Sequence, residues 1–372
     1  MADAADPNDL RFMQAALNLA RRGLGHVWPN PAVGCFLARD GLVVGRGWTQ
    51  PGGRPHAETE ALRRAGDLAR GATAYVTLEP CSHHGKTGPC ADAMIAAGVA
   101  RVVIACEDPD PRVSGGGVAR LRQAGVAVTL GVCETEAKRL NEGFFRRVLD
   151  RRPLYSLKLA TTLDGRIATH TGASRWITGP VARSWGHGLR ATHDAIMIGI
   201  GTALADDPEL TCRLAGLEDR SPVRVVVDSR LRLPLTSRLV RSASRVPTWV
   251  VTRPDADGDR SRAFEDCGLE VLTIPPDDTG SPNLSLLGHA LADRGLTRVL
   301  SEGGARLAAS LMRADLVDRL EWFRAPSVIG GDGIPAVRAY GVDALGDSAA
   351  FTRVEARKAG DDLWESYVRR GG

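Results

Sequence analysis

Apolar residues recur at helical spacing near the start of the chain. Phe12, Met13, Ala16, Leu19 and Ala20 share one face from Asp9 onward, and Gly23 ends the run. Asn30-Pro31 marks a turn, and Val33 to Leu37 and Leu42 to Gly47 flank Arg39-Asp40-Gly41, a pattern that predicts a hairpin. A helix is expected over His56 to Ala65, a short strand over Ala74 to Leu78, a helix over Cys90 to Ala97 and a buried strand over Val102 to Ala105. Gly117 to Ala124 and Val126 to Gly131 continue the alternation, and Glu134 to Val148 reads as one helix. These elements predict a layered α/β unit.

Asp150-Arg151-Arg152-Pro153 breaks the pattern and suggests a boundary between residues 1–150 and 151–372. Strand-like Leu154 to Ala160 restarts it, followed by a turn around Asp164-Gly165. Further strands are expected at Ala195 to Ile198, Val223 to Val227, Thr248 to Val251, Val271 to Ile274 and Arg298 to Leu300, with helices over Pro180 to Ala191 and Ala305 to Arg313. Strands alternating with helices imply a second α/β unit built on a mainly parallel sheet.

Composition agrees with this division. A chain of 372 residues exceeds the usual single domain, and 43% hydrophobic with 25% charged residues is ordinary for a soluble globular protein. The net charge of +4 is spread evenly, since residues 1–150 hold 18 Lys+Arg against 16 Asp+Glu and the remainder 30 against 28. Neither half is a polybasic platform, so no nucleic-acid partner is expected. Seven scattered cysteines make no disulfide framework and fit a reducing compartment. The acidic start Met1-Ala2-Asp3-Ala4-Ala5-Asp6-Pro7 has no apolar core, and no run has membrane-spanning length, so a cytoplasmic protein without a membrane partner is expected.

The strongest chemical signal is His56-Ala57-Glu58 combined with Pro80-Cys81 and Cys90. One imidazole and two thiolates would give zinc three protein ligands and leave a fourth position for water, the arrangement of a catalytic site. Zinc-bound water ionises near neutral pH, and Glu58 is spaced to shuttle its protons. His-x-Glu followed by Pro-Cys is the signature of zinc nucleobase deaminases. The loop from Cys81 to Cys90 is longer than the general form of that signature. Its Ser82-His83-His84-Gly85-Lys86-Thr87-Gly88-Pro89 is glycine- and proline-containing and can return the second thiolate to the metal. The alternatives are two ordinary buried thiols, or a closed structural site completed by His83 and His84; neither gives Glu58 or Pro80 a role.

In the second half, Val299-Leu300-Ser301-Glu302-Gly303-Gly304-Ala305-Arg306 reads as a strand, a diglycine turn and a helix. Such a turn lets backbone N–H groups approach a phosphate, or it merely closes a tight connection. Arg190 and Arg213 are candidates for binding a phosphorylated substrate through their guanidinium groups, and the alternative for each is a solvated surface charge.

With these motifs assembled, the chain closely resembles the bifunctional deaminase-reductase family of riboflavin biosynthesis. The matching pieces of the first half are Pro29-Asn30-Pro31-Ala32-Val33-Gly34, Pro55-His56-Ala57-Glu58, the whole Leu78-to-Cys90 segment and Glu107-Asp108-Pro109. Those of the second half are Lys158-Leu159-Ala160, Leu163-Asp164-Gly165-Arg166, Trp176-Ile177-Thr178, Ala205-to-Thr211, Val227-Asp228-Ser229 and Glu302-Gly303-Gly304. The long cysteine loop is characteristic of this family.

The resemblance implies a cytidine-deaminase-like zinc domain over residues 1–150 and a dihydrofolate-reductase-like domain over 151–372. The first would deaminate a phosphoribosylated diaminopyrimidinone, with His56, Cys81 and Cys90 on zinc and Glu58 as the catalytic proton carrier. The second would reduce the ribosyl group to ribityl with NADPH. The cofactor contacts it implies are Ala160, Trp176, Thr202, Asp206 and Ser229, with Gly304, Ala305, Arg306, Leu307, Ala308, Ala309 and Ser310 receiving the pyrophosphate. The implied substrate contacts are Ser174, Arg190, Leu210, Arg213 and Glu302, with Lys158 or Asp206 supplying the proton that accompanies hydride. In the deaminase pocket, Asn30 and Lys86 would hold the pyrimidine and its phosphate. The family further suggests a homo-oligomer, dimeric or higher.

Two positions depart from the family pattern. Thr49 stands where a histidine is common, and Asp108-Pro109-Asp110-Pro111 replaces Asp-Pro-Asn-Pro, both in what the resemblance makes the deaminase pocket. Two other classes compete with this reading. A nucleic-acid base deaminase would need a basic channel, and a zinc-stabilised sensor of a flavin precursor would leave Glu58 without a proton to move.

Overall fold

The computed structural model describes residues 6–83, 88–111 and 114–371, and the chain divides into two compact units, Met1–Arg151 and Arg152–Gly372. The first unit runs α1 (Pro7–Ala20), β1 (Gly34–Arg39), β2 (Leu42–Trp48), α2 (Ala57–Ala65), β3 (Thr73–Val76), α3 (Cys90–Ala96), β4 (Arg101–Ile104), α4 (Gly116–Gln123), β5 (Ala127–Leu130), α5 (Glu134–Leu140) and α6 (Glu142–Leu149). Its sheet has the order β2-β1-β3-β4-β5, antiparallel at β2-β1-β3 and parallel from β3 to β5. The hairpin is closed by Asp40 and Gly41, both at positive φ, which gives the two-residue turn the right-handed twist of the strands.

Helix α1 buries Phe12, Met13, Ala16 and Leu17, with the Phe12 ring centroid 5.0 Å from that of Tyr75 on β3, and lies so close to β1 that a Cβ at Gly34 would stand 1.9 Å from the Ala16 carbonyl. Buried Asp9 on that helix takes a bidentate pair from Arg101 of β4 at 2.9 and 2.6 Å and a hydrogen bond from the Tyr75 hydroxyl of β3. On the other side, α2 lies almost against the backbone of β2. A Cβ at Gly45 would stand 2.4 Å from the Ala61 carbonyl, and one at Gly47 would stand 2.2 Å from the Ala57 carbonyl. The glycines therefore fix the depth at which the helix sits, and with it the residues at its N-terminus.

The single helix expected over Glu134 to Val148 is two, α5 and α6, with the break at Asn141. The Asn141 side chain is buried and both accepts from the Ala32 N–H at 2.8 Å and donates to the Ala32 carbonyl at 2.9 Å. That long-range pair outweighs local helical preference. His56 is likewise the residue before α2, in extended conformation, and not in its first turn.

The second unit runs β6 (Leu154–Thr161), β7 (Arg166–Ala168), α7 (Pro180–Ala191), β8 (Ala195–Gly199), α8 (Ile200–Asp206), β9 (Val223–Val227), α9 (Arg238–Arg241), β10 (Thr248–Thr252), α10 (Gly258–Asp266) and β11 (Glu270–Thr273). It continues through α11 (Leu284–Asp293), β12 (Arg298–Ser301), α12 (Ala305–Arg313), β13 (Arg319–Arg324), β14 (Ile334–Pro335), β15 (Phe351–Ala359) and β16 (Asp362–Arg369). The main sheet has the order β11-β10-β9-β8-β12-β6-β13-β16-β15. It is parallel from β11 to β13 and closed at one edge by the antiparallel β15–β16 hairpin. No helix among the described residues is long and apolar enough to cross a membrane.

Gly47→Ala should lower the unfolding free energy by about 1–3 kcal/mol, because the new methyl must push α2 away from β2. Urea denaturation of the full chain, followed at a probe in the first unit, checks the shift.

Candidate functional site

Three segments of the first unit converge on one point. His56 arrives at the start of α2, Cys81 from the connection after β3, and Cys90 as the first residue of α3. Their donor atoms lie within 4.8 Å of one another, with His56 Nδ1 3.3 Å from Cys90 Sγ and 3.8 Å from Cys81 Sγ. A zinc tetrahedron built on ordinary bond lengths separates its ligands by about 3.6 Å from N to S and about 3.8 Å from S to S, so the donor set fits the ion. Among the described residues this group has three members, which matches a site with one position left for a ligand. Of the histidines in the cysteine loop, His83 is exposed and His84 lies outside the described residues, as does Lys86.

The electrostatics prepare the sulfurs for a cation. The Cys90 thiol hydrogen-bonds Cys81 and, together with His56 and the Cys90 N–H at 3.3 Å, draws Cys81 down to about 4 against the opposing effect of burial. Cys90 is correspondingly pushed up by its bond to Cys81 and by burial. Glu58 lies one position inside the helix start, 4% exposed, and its carboxyl bonds the Cys90 thiol. Burial raises its pKa above the ordinary carboxylate value, while His56 works the other way.

The departures from the family pattern leave this geometry alone. Thr49 is buried, with its hydroxyl accepting from the Val33 N–H at 3.0 Å and donating to the Pro31 carbonyl at 3.1 Å, so it ties down the Asn30-to-Val33 turn. Asn30 packs against Gly53, where a Cβ would stand 1.9 Å from its amide nitrogen. Asp110 donates its N–H to the Asp108 carboxylate at 2.8 Å, and burial raises Asp108 to about 6.

In the second unit the candidate residues collect at the C-terminal ends of adjacent parallel strands, where open α/β sheets hold their ligands. Lys158 and Ala160 lie on β6, Glu302 follows β12, Thr202 belongs to α8 just after β8, and Ser229 follows β9. Gly303 allows this crowding, since a Cβ there would meet the Ile198 Cα at 2.7 Å. The Gly304 N–H donates to the Thr202 hydroxyl at 3.0 Å. Of the segment expected to receive a pyrophosphate, Ala305, Leu307, Ala308 and Ala309 bury their side chains in the core, Arg306 is exposed and Ser310 is half-buried. The first-turn backbone of α12 is thus what this segment offers an anion.

Arg190 is placed differently from a free phosphate fork. Its Nε and Nη2 both bond Glu302, at 2.7 and 2.9 Å, and its Nη1 donates to the Thr211 carbonyl at 3.0 Å. Lys158 Nζ stands 4.0 Å from the same carboxylate. Burial alone would raise Glu302, but Arg190 and then Lys158 bring it down to about 2; burial lowers Lys158. Leu210 is buried with φ 55°, and exposed Arg213 extends beyond it, its Nη1 3.4 Å from Glu209 and 3.3 Å from the Thr211 hydroxyl. Sequence reasoning missed His187, one turn before Arg190 on α7, whose Nδ1 sits 3.2 Å from the Thr211 carbonyl and 3.3 Å from the Arg213 nitrogen. Its spacing from Arg190 was the available signal. Ser174 and Trp176 lie on the segment before α7; Trp176 is 70% exposed, flanked by the guanidinium groups of Arg183 and Arg175, and Arg175 also donates to the Asp206 carbonyl at 3.1 Å.

Comparison with known proteins covers both units. Residues 6–106 match the cytidine and deoxycytidylate deaminase zinc-binding region, and residues 153–364 match the RibD C-terminal domain. The chain is 43% identical over 366 residues to the riboflavin biosynthesis protein RibD of Escherichia coli strain K12, covering 95% of this chain and 98% of that one. It is 39% identical over 355 residues to the RibD of Aquifex aeolicus, covering 95% and 97%. A solved RibD of Acinetobacter baumannii superposes with a TM-score of 0.87 at 36% identity, covering 97% and 99%. A Thermotoga maritima protein, described as a diaminohydroxyphosphoribosylaminopyrimidine deaminase/5-amino-6-(5-phosphoribosylamino)uracil reductase, does so with 0.85 at 34% identity over the same shares.

The Glu302 carboxyl is depressed from 4.5 to about 2 in the folded chain, so its contribution to stability is present above about pH 4.5 and is lost as pH falls toward 2. Arg190→Met should flatten that acid dependence in the second unit, measured as unfolding midpoint against pH between about 2 and 5.

Proposed function

The chain belongs to the RibD family of riboflavin-biosynthesis proteins and is a bifunctional deaminase and reductase, and from that premise we propose that its two activities divide between residues 1–150 and 151–372. The first half hydrolyses the ring amine of 2,5-diamino-6-(5-phosphoribosylamino)pyrimidin-4-one. The second reduces the ribosyl side chain of the product, giving 5-amino-6-(5-phosphoribitylamino)uracil. The observation that carries the first step is the convergence of His56 Nδ1 and the Cys81 and Cys90 sulfurs beside buried Glu58.

Zinc held by those three donors supplies Lewis-acid activation of water. Glu58 does the proton work: its carboxylate takes a proton at the attacking oxygen and delivers it to the departing nitrogen, and its burial keeps the proton affinity high enough for that exchange. Asn30 faces the pyrimidine from the Pro29-to-Val33 turn held by Thr49.

In the second half NADPH supplies hydride. The close backbone at Gly303 and Gly304 and the first turn of α12 hold its pyrophosphate, with Thr202, Asp206, Trp176, Ala160 and Ser229 completing the cofactor side. Arg190 and Glu302 act on substrate as one charge-paired unit, with Ser174 and Leu210 beside them, and Arg213 is the guanidinium available to its phosphate. Lys158, with its proton affinity lowered by burial, supplies the proton that accompanies hydride.

Glu58→Gln should retain one zinc per chain and lower ammonia release by about two orders of magnitude or more, while NADPH oxidation with the deaminated substrate continues. Metal analysis with both assays on one preparation checks it. Loss of both activities from a folded variant would overturn the division of labour.

A further inference from the structure

Glu79 precedes the Pro80-Cys81 turn and belongs to neither the donor set nor the proton path. Its carboxylate is 3% exposed and faces backbone amides. Oε1 accepts from Gly117 at 2.9 Å and Val118 at 3.1 Å, and Oε2 accepts from Gly115 at 3.0 Å and Asp108 at 3.3 Å. One acidic side chain thus joins the residue before the cysteine turn to the start of α4 and to the Asp108 turn after β4. The amides of a helix start are suited to an anion.

In the run Gly115-Gly116-Gly117, the last two glycines flank Cys81 on both sides. A Cβ at Gly117 would stand 2.0 Å from the Pro80 carbonyl, and one at Gly116 would stand 2.7 Å from the Ser82 hydroxyl. A helix cap alone requires neither contact. The far side of the same turn is held by the Ala91 N–H on the Cys81 carbonyl at 3.2 Å and the Cys90 N–H on Cys81 Sγ at 3.3 Å. Cys81 is therefore gripped from α3 on one side and, through Glu79 and the glycines, from α4 on the other.

We propose that Glu79 is a positioning residue of the metal centre: by clamping the Cys81 turn to the start of α4 and to the Asp108 turn, it presets the Cys81 sulfur for zinc. The inference rests on the zinc reading given above. Glu79 touches no reacting atom, and its effect reaches the metal through Cys81.

The experiment measures zinc affinity of the full-length chain by competition with a chromogenic chelator, with NADPH oxidation on deaminated substrate as a control. Glu79→Gln should weaken zinc binding about tenfold to a hundredfold, the range for residues that orient metal ligands, and leave the reductase unaffected. Gly117→Ala, which keeps the carboxylate and presses on Pro80, should fall in the same range and carries the test if Glu79→Gln does not fold. Leu121→Ala removes a fully buried side chain from the same helix and none of the hydrogen bonds to Glu79, and should lower the unfolding midpoint while zinc affinity stays within about twofold of the parent. Wild-type affinity in Glu79→Gln or Gly117→Ala, or an equal loss in Leu121→Ala, reduces Glu79 to a structural tie and overturns the inference. A wild-type chain that binds no zinc with its thiols reduced overturns the metal reading itself, and the inference with it.

Discussion

Close approach of backbone to backbone sets both sites. A metal tetrahedron tolerates ligand errors of only a few tenths of an ångström, so the three segments bearing His56, Cys81 and Cys90 must stop at fixed depths. Side chains between packed elements keep them further apart than this fold allows. Gly47 brings α2, and with it His56 and Glu58, down onto β2; Gly117 lets α4 rest on the Pro80 carbonyl. Gly303 does the corresponding work in the second unit, where Glu302 and the start of α12 come within reach of Thr202 because nothing but hydrogen projects toward β8. Packed interiors transmit such placements with little loss, so a methyl added far from the chemistry can move it.

Given those placements, the two sites handle charge in opposite ways. The first collects two thiols and a buried carboxyl, whose negative charges oppose one another and are offset by the His56 imidazole. The second is already neutralised in part: Glu302 is held ionised by Arg190 and Lys158 in a largely buried cluster. Compared with an apolar pair of the same volume, a buried pair such as Arg190–Glu302 gains little after desolvation, and its geometry suits it to fixing orientation. Removing Glu302 strips the buried guanidinium of two of its hydrogen bonds and leaves it the Thr211 carbonyl, and removing Arg190 leaves Glu302 the more distant Lys158 at 4.0 Å, so either change alone takes the main partner from a buried charge.

The metal centre was legible because its chemistry is carried by residue type and short spacing. His56, Glu58, Cys81 and Cys90 have few joint uses, and the diglycine after β12 announces a strand turning into a helix. What stayed hidden depends on partners remote in sequence. Arg190 reads as a phosphate fork until Glu302 closes on it, and the expected helix over Glu134 to Val148 fails because Asn141 finds Ala32. Strands β13, β15 and β16 lack a clean apolar alternation: Glu365 of β16 is buried by pairing with Arg324 of β13 and Arg353 of β15, so charged residues occupy positions that a pattern search assigns to surface loops. Glu79 sits inside a legible motif, yet its role lies in the amides of Asp108, Gly115, Gly117 and Val118, which any sequence possesses.

Charge distribution decides how a phosphorylated substrate can be recognised at two places on one chain. Each half carries nearly balanced charge, 18 basic against 16 acidic residues before position 151 and 30 against 28 after it, so neither half has a net charge that would draw anions to it in preference to the other. Screening over about 8–10 Å at ordinary ionic strength removes what remains. On the function proposed above, discrimination is then local, within a few ångströms of Arg213 on the reductase side and of the Asn30 turn on the deaminase side. The sugar phosphate is common to substrate and intermediate, and it cannot tell the sites which molecule has arrived. That information resides in the ring amine and in the sugar carbon awaiting hydride, which the proposed function sets against the zinc donors with Glu58 and against the Lys158–Glu302–Arg190 cluster.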